Sequence, residues 1–185
     1  MEIASTLHRI EWGVASRPLT GESVSGDVHV ILPHRRGVLL AAIDGCGHGP
    51  EAARAAELAA LTLRSMPESS VLFHLNRCHV ALANTRGVVM TLADLNIRDQ
   101  TLTLCGVGNV ECTLFRAGAP AGSPVAETAL LRGGVVGGQM PEPYASVIPV
   151  HPGDDKRNYH SDRCERRNTN EYKVWHSESG VVSVQ

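Results

Sequence analysis

Apolar and polar positions along the 185-residue chain sort into runs of strand length, one pair of helical stretches, and then strands again. His8 to Ser16 reads as a first strand and Asp27 to Leu32, which alternates roughly, as a second. Pro33-His34-Arg35-Arg36-Gly37 reads as the turn after it. Val38 to Ile43 is continuously apolar and bounded by Gly37 and Gly45, the pattern of a strand buried on both faces. Gly45 to Gly49 forms a tight loop. Pro50 suits a first helical position, where its missing N–H costs nothing. Glu51 to Met66 is rich in Ala and Leu and predicts a helix that Pro67 ends. A second helix is predicted from Glu68 or Ser69 to about Ala83, with Val71, Leu72, Leu75, Cys78, Val80 and Leu82 on a loose apolar face. Val88 to Ile97, Thr101 to Val107 and Val110 to Ala117 then read as a meander, turning at Arg98-Asp99-Gln100 and Gly108-Asn109. Ala119 to Pro124 and Gly133 to Gly138 read as loops. Ala145 to Val150 reads as a further strand, closed by Pro152-Gly153-Asp154. Strands, two adjacent helices and more strands predict an α+β fold with largely antiparallel sheets.

Composition narrows the class. The length fits one domain. Hydrophobic content is 43% and aromatic content 4%, so the core is aliphatic and large enough to order most of the chain. A formal charge of -2 lacks the basic excess of a nucleic-acid binder. Five cysteines, an odd number with no C-x-x-C spacing, point away from structural zinc or a disulfide framework and toward a reducing cytosol. No apolar run approaches the ~20 residues of a membrane span, and Met1-Glu2-Ile3-Ala4 lacks a leader's basic start. A cytoplasmic, monomeric protein is the expectation.

The charge pattern breaks near residue 154. Residues 1–153 carry 24 charged side chains and no lysine, whereas residues 154–176 carry 11 in 23 positions, with both lysines, Lys156 and Lys173. Lys156-Arg157-Asn158 does not read as a buried strand, because unpaired buried charge is costly. From Asp155 to His160 the sequence predicts a solvated loop or a segment that no longer matches its fold.

Candidate chemistry centres on two aspartates, each beside glycine at a strand edge. Asp27 ends Gly21-Glu22-Ser23-Val24-Ser25-Gly26-Asp27, and Asp44 opens Asp44-Gly45-Cys46-Gly47-His48-Gly49-Pro50. Carboxylates leaving apolar strands need a partner, and hard cations such as Mg²⁺ and Mn²⁺ prefer oxygen ligands. The spacing suits a hairpin that brings both to one end. Other readings stand beside this one. Asp27 also fits a turn, and the glycine loop matches a phosphate loop only in part, without G-K-[ST]. His48 reads as a ligand, an acid or a helix-end residue. Cys46, near a helix start, reads as a packing residue or a stabilised thiolate. Arg86-Gly87 reads as a turn. Neither an H-E-x-x-H pair nor a G-x-S-x-G elbow is present.

Taken in order, these motifs resemble the PPM-type (type 2C-like) metal-dependent serine/threonine phosphatases of the SpoIIE branch. The likeness rests on Ser25-Gly26-Asp27, Ile43-Asp44-Gly45 with Gly47-His48-Gly49 and an Ala-rich helix, Asn84-Thr85-Arg86-Gly87, Cys105-Gly106-Val107-Gly108-Asn109-Val110, Pro152-Gly153-Asp154 and His160-Ser161-Asp162. It runs from about residue 10 to 162, with residues 154–185 atypical. The resemblance implies two packed antiparallel β-sheets flanked by α-helices and a site for two Mn²⁺ or Mg²⁺ ions. It implies that Asp27 ligates one metal, Asp44 bridges both, the Gly45 carbonyl is a further ligand and Asp162 a third carboxylate. The implied chemistry is attack of a metal-bridged hydroxide on phosphorus, in line. The implied substrates are phosphorylated STAS-domain proteins of a stressosome or related anti-sigma antagonists. The chain departs from the family at Arg163, where a glycine follows the third aspartate, and has no aspartate after Asp162 to supply a final D-D pair. Two expectations follow: that the region from about residue 154 is frameshifted, truncated or degenerate, leaving a sheet edge unpaired, or that the chain binds phosphoproteins without efficient turnover.

Overall fold

A computed structural model describes residues 10–14, 24–117, 125–151, 154–161 and 176–184. Its strands are β1 (Ile10–Gly13), β2 (Asp27–His34), β3 (Gly37–Gly45), β4 (Val88–Asn96), β5 (Thr101–Val107), β6 (Val110–Phe115), β7 (Ala126–Thr128), β8 (Leu131–Arg132), β9 (Ser146–Pro149), β10 (Asp155–Ser161) and β11 (His176–Val184). The helices among the described residues are α1 (Pro50–Arg64) and α2 (Val71–Ala81). One sheet runs β1-β11-β10-β6-β7. The other runs β2-β3-β4-β5-β8, with β9 also on β5. Every pair is antiparallel except β5–β8, which is parallel over two residues. The α+β, largely antiparallel architecture is the one the pattern predicts, and the two packed sheets are those the resemblance implies, but the expected meander stops at β5, because β6 crosses after Gly108-Asn109 to the other sheet.

Alternation explains the layers. In β3, Leu39, Ala41 and Ile43 face α1 and α2 in one core with Met90 and Leu92 of β4. Val38 and Leu40 turn the other way, into a second core with Leu102 and Leu104 of β5 and Cys112 and Leu114 of β6. A strand packed on both faces reads as an unbroken apolar run, which is why Val38 to Ile43 shows no alternation. Between the sheets, the buried Thr91 hydroxyl donates to the Val110 carbonyl at 2.5 Å.

Helix α1 buries Ala52, Ala55, Ala56, Ala59, Ala60 and Leu63, spaced along one helical face. Small side chains let it lie close on the sheet. Pro50 opens it, and no side chain caps it. Ser70 caps α2 by accepting from the Phe73 N–H at 3.3 Å.

The segment from Asp155 corrects the sequence reading. It is not a solvated loop: β10 pairs along its length with β6 and with β11. The anticipated unpaired edge does not form there, because β11 fills the place between β10 and β1. Backbone N–H and C=O groups that find ladders on both sides are satisfied whatever side chains they carry. The β-branched Val181, Val182 and Val184 of β11 favour a strand as well. No helix among the described residues is long and apolar enough to cross a membrane.

Candidate metal centre and family

β2 and β3 form a hairpin in full register from His34–Gly37 to Asp27–Asp44. The two aspartates are therefore direct cross-strand partners at the hairpin's open end, where Cβ atoms stand roughly 4.5–5.5 Å apart. Like charges placed opposite one another repel, and a shared cation relieves that repulsion. Both residues are half-buried. Local bonds fix their approach: the Asp27 N–H donates to Ser25 Oγ at 3.1 Å and the Gly45 N–H to the Gly26 carbonyl at 3.1 Å.

Gly45 closes β3 where α1 comes nearest. A Cβ on Gly45 would lie 2.1 Å from the Ala52 carbonyl oxygen, so only glycine admits this contact. One on Gly26 would meet Ala52 Cβ at 3.3 Å and the Gly45 carbonyl oxygen at 3.6 Å. The two glycines thus let two strand ends and a helix start converge.

The loop that follows is tied to the α2–β4 connection. The Cys46 N–H donates to the Gly87 carbonyl at 3.0 Å. Cys46 also packs with Ala42, Val89 and Val110, which is its packing reading. His48 is exposed in the loop. Arg86 lies over Gly47: a Cβ built there would be 2.8 Å from Arg86 Nη1. Its guanidinium also pairs with Glu51 in the first turn of α1, Nη2 to Oε2 at 2.5 Å. The sequence reading treated Arg86-Gly87 as a turn, and it is one. Gly87 has φ +75°, and its N–H donates to Thr85 Oγ1 at 3.0 Å. What that reading missed is that the turn carries a cation onto the aspartate loop.

Asp162 lies outside the described residues, as do Gly21 to Ser23 of the first motif. Among the described residues, no three His, Cys, Asp or Glu side chains gather into a group that could hold a metal. Two carboxylates, Asp27 and Asp44, stand at this strand end, and Gly45, whose carbonyl is the further donor expected, follows Asp44 there. This all-oxygen set fits Mg²⁺ or Mn²⁺: Mg²⁺ keeps several waters and is commonly held through one or two carboxylates. It differs from the four-ligand nitrogen and sulfur sets of structural zinc.

Two packed sheets, flanking helices and opposed aspartates at a strand end define the class of type 2C-like metal-dependent phosphatases. Residues 34–155, about two thirds of the chain, match the Stage II sporulation protein E (SpoIIE) family, and the chain belongs to that family. Asp44 and Gly45 fall within the match and Asp27 precedes it. The chain is homologous to the phosphoserine phosphatase RsbX of Bacillus subtilis (strain 168), with 23% identity over 142 residues, 77% of this chain and 68% of that protein. It resembles a chain solved in work on the bacterial stressosome, described as a modular system that has been adapted to control secondary messenger signaling. That likeness has a TM-score of 0.78 and 25% identity, over 94% of this chain and 97% of the other. It also shares the fold of RsbX crystallised with magnesium, with a TM-score of 0.74 and 20% identity, over 82% of this chain and 73% of the other.

Proposed function

We propose that residues 1–185 form a single phosphatase domain that hydrolyses phosphoserine or phosphothreonine esters on proteins in the cytoplasm. Its substrates in this reading are phosphorylated STAS-domain proteins of a stressosome-like module or related anti-sigma antagonists. The observation that carries the proposal is the direct pairing of Asp27 with Asp44 beside Gly45. Support comes from the relatives, one named a phosphoserine phosphatase and one solved in work on a stressosome.

Asp27, Asp44 and the Gly45 carbonyl would hold Mn²⁺ or Mg²⁺, and Asp162 is the proposed third carboxylate. When bound, the metal supplies charge stabilisation at the phosphoryl oxygens and acidifies water. The chain's own residues bind and orient. Arg86 sits over the loop after Asp44 and offers a guanidinium, whose fork matches a phosphoryl group. Its bond to Glu51 holds it in place until a phosphate competes for it. The convergent glycines hold the aspartates in register, so little reorganisation accompanies substrate arrival.

A second reading, a family member that binds phosphoproteins with little turnover, is favoured by the donor set of only two carboxylates among the described residues. Hydrolysis of para-nitrophenyl phosphate and of a phosphorylated STAS-domain protein, with and without Mn²⁺, decides between the two. The expected outcome is metal-dependent turnover of both, cut at least about 100-fold by Asp44→Asn, since even outer partners of metal sites cost 10–100-fold. Calorimetry on the same variant should show weakened Mn²⁺ binding. Phosphoprotein binding without turnover would support the second reading, and neither binding nor turnover would sink both.

A further inference from the structure

Helix α2 is held to the sheet by few side chains. It buries Val71, His74, Leu75 and Cys78, whereas the buried face of α1 carries five alanines and a leucine. Phe73 and Val80 of α2 are exposed. His74 is 2% exposed, and its Nε2 finds no hydrogen-bond partner among the described residues. A helix of eleven residues is marginal without packing. The state of one buried histidine therefore bears on whether α2 stays seated.

The groups that act on His74 stand at the end of the sheet remote from the aspartates. Asp94 of β4 and His34 of β2 lie there, at the register positions of Leu39 and Gly37 of β3. His34 Nδ1 accepts from the Arg36 N–H at 3.3 Å, so the neutral ring carries its hydrogen on Nε2 and donates it to Asp94 Oδ1 at 2.8 Å. Asp94 is thus engaged by His34 and makes no hydrogen bond to His74 Nε2. Burial is the largest influence on the His74 ring and lowers its pKa. Asp94 raises it, His34 lowers it, and the net shift is downward from 6.5. The other elements packed on α2 are α1 and β5. The charged residues of α1, Glu51, Arg54, Glu57 and Arg64, are exposed. On β5 the titratable group is Cys105, a thiol pushed up by burial. In the α1–α2 connection Glu68 pairs with Arg35 at 3.4 Å. On α2 itself Arg77 is exposed, Cys78 is neutral, its thiol pushed up to about 12, and His79 Nδ1 accepts from the Gly137 N–H at 3.0 Å.

We propose that His74 is an acid-sensitive latch of α2: a proton taken up by its ring releases the helix from the sheet while the sheet stays folded. A neutral imidazole can sit in the apolar interior with one nitrogen unpaired. An imidazolium there, with no acceptor bonded to that nitrogen, is far more costly. Lifting α2 hydrates the ring and gives up few buried side chains, whereas β3 is held by ladders on both sides and packed on both faces. The seated helix therefore has its full stability above about pH 6.5, the ordinary histidine value. It loses that stability as pH falls from there toward the lowered value of the buried ring. The latch is independent of the metal centre and of the phosphatase reading.

The test is amide hydrogen exchange of the full chain by NMR, corrected for intrinsic rates, from about pH 7.5 to about pH 5, the range in which histidine titrates. In the wild type, protection of the α2 amides should be level above about pH 6.5 and then fall by up to about tenfold per pH unit, the limit for one proton. The β3 amides should keep theirs. In His74→Leu, α2 protection should stay level across the range. Three results overturn the proposal: level α2 protection in the wild type, α2 and β3 falling together, or wild type and variant falling alike. If His74→Leu does not fold, the ring resonances of the wild-type chain decide. His74 should titrate below 6.5, in step with the loss in α2. A ring that titrates at or above that value, or with α2 protection unchanged, overturns the proposal as well.

Discussion

Asp154 shows what one residue can hold together. It is 2% exposed and stands directly before β10. Its Oδ2 accepts from Arg116 Nη1 at 2.7 Å and from the His151 N–H at 3.0 Å, and its Oδ1 from the Ala117 N–H at 3.0 Å. Arg116 also donates to Glu127 and to the Pro149 carbonyl, so one guanidinium joins the ends of β6, β7 and β9. Burial alone would raise the Asp154 pKa, but the two N–H donors and Arg116 outweigh it and the net shift is downward. A carboxyl whose folded pKa is depressed stabilises above its unfolded value, about 3.9, and that stability is lost as pH falls through the folded value. Asp154→Ala should cost about 3–5 kcal/mol in urea unfolding at pH 7, the range for breaking a buried pair. The gap between wild type and variant should narrow below about pH 4. A pH-independent gap would refute the electrostatic account. The cysteines separate on the same physics. Burial pushes the Cys78 thiol up to about 12, and its Sγ lies 3.8 Å from the Ala59 carbonyl oxygen, whereas Cys46 is only half-buried. Iodoacetamide followed by mass mapping should find Cys46 alkylated in the folded chain and Cys78 protected until denaturant is added.

At the scale of elements, what matters is how closely α1 approaches the ends of β2 and β3. Gly26 and Gly45 both lie there and neither has a positive φ, so sterics alone distinguish them. Gly45→Ala drives a Cβ into the Ala52 backbone and should cost at least the roughly 1–3 kcal/mol of overpacking, with metal affinity falling as α1 is pushed off the sheet. Gly26→Ala meets only Ala52 Cβ, at the edge of contact, and should cost less. Thermal unfolding and Mn²⁺ titration of both variants check the order, and equal loss would contradict it. The same elements show what the sequence disclosed. The β3 run, the Ala-rich α1 and the β4–β5 hairpin were legible because each carries its own period and its own turn signals, whereas the expected continuation of the meander into β6 was wrong, since β6 crosses to the other sheet and pairs with β7 and β10. The pairing of Asp27 with Asp44 was legible because a short hairpin fixes register locally. β7 and β8 were not, being three and two residues long. β10 was hidden because its ladders come from β6 and β11, distant in sequence, while its own composition argues for a loop. Arg86 was hidden for the same reason, since only tertiary folding lays it over Gly47.

Among the described residues the two larger cores share one sheet, and they depend differently on the polar end of the chain. The core between α1, α2 and the β2–β3–β4–β5 sheet uses no residue beyond Val136 among its fully buried members. The core between the sheets rests on Cys112 and Leu114 of β6. In its own sheet β6 is flanked by β7 over three residue pairs and by β10 over six. Removing residues 154–185 would leave β1 without its described partner and β6 with one long unpaired edge. It would also remove Asp154, which draws Arg116 inward. An exposed run of N–H and C=O groups beside an apolar face is a template for pairing with another chain. The truncated chain should therefore lose amide protection in β5 and β6 first, keep more of it in β3 and α1, and elute as soluble aggregate. Hydrogen exchange with size-exclusion chromatography, run on the full and shortened chains, reads all three outcomes. If the shortened chain stays monodisperse with β6 protected as in the full chain, β10 and β11 are appended to the fold and do not complete it. Loss confined to β6 and its neighbours would instead show that the charged, lysine-bearing segment does structural work through its backbone ladders, which depend on register and not on apolar side chains.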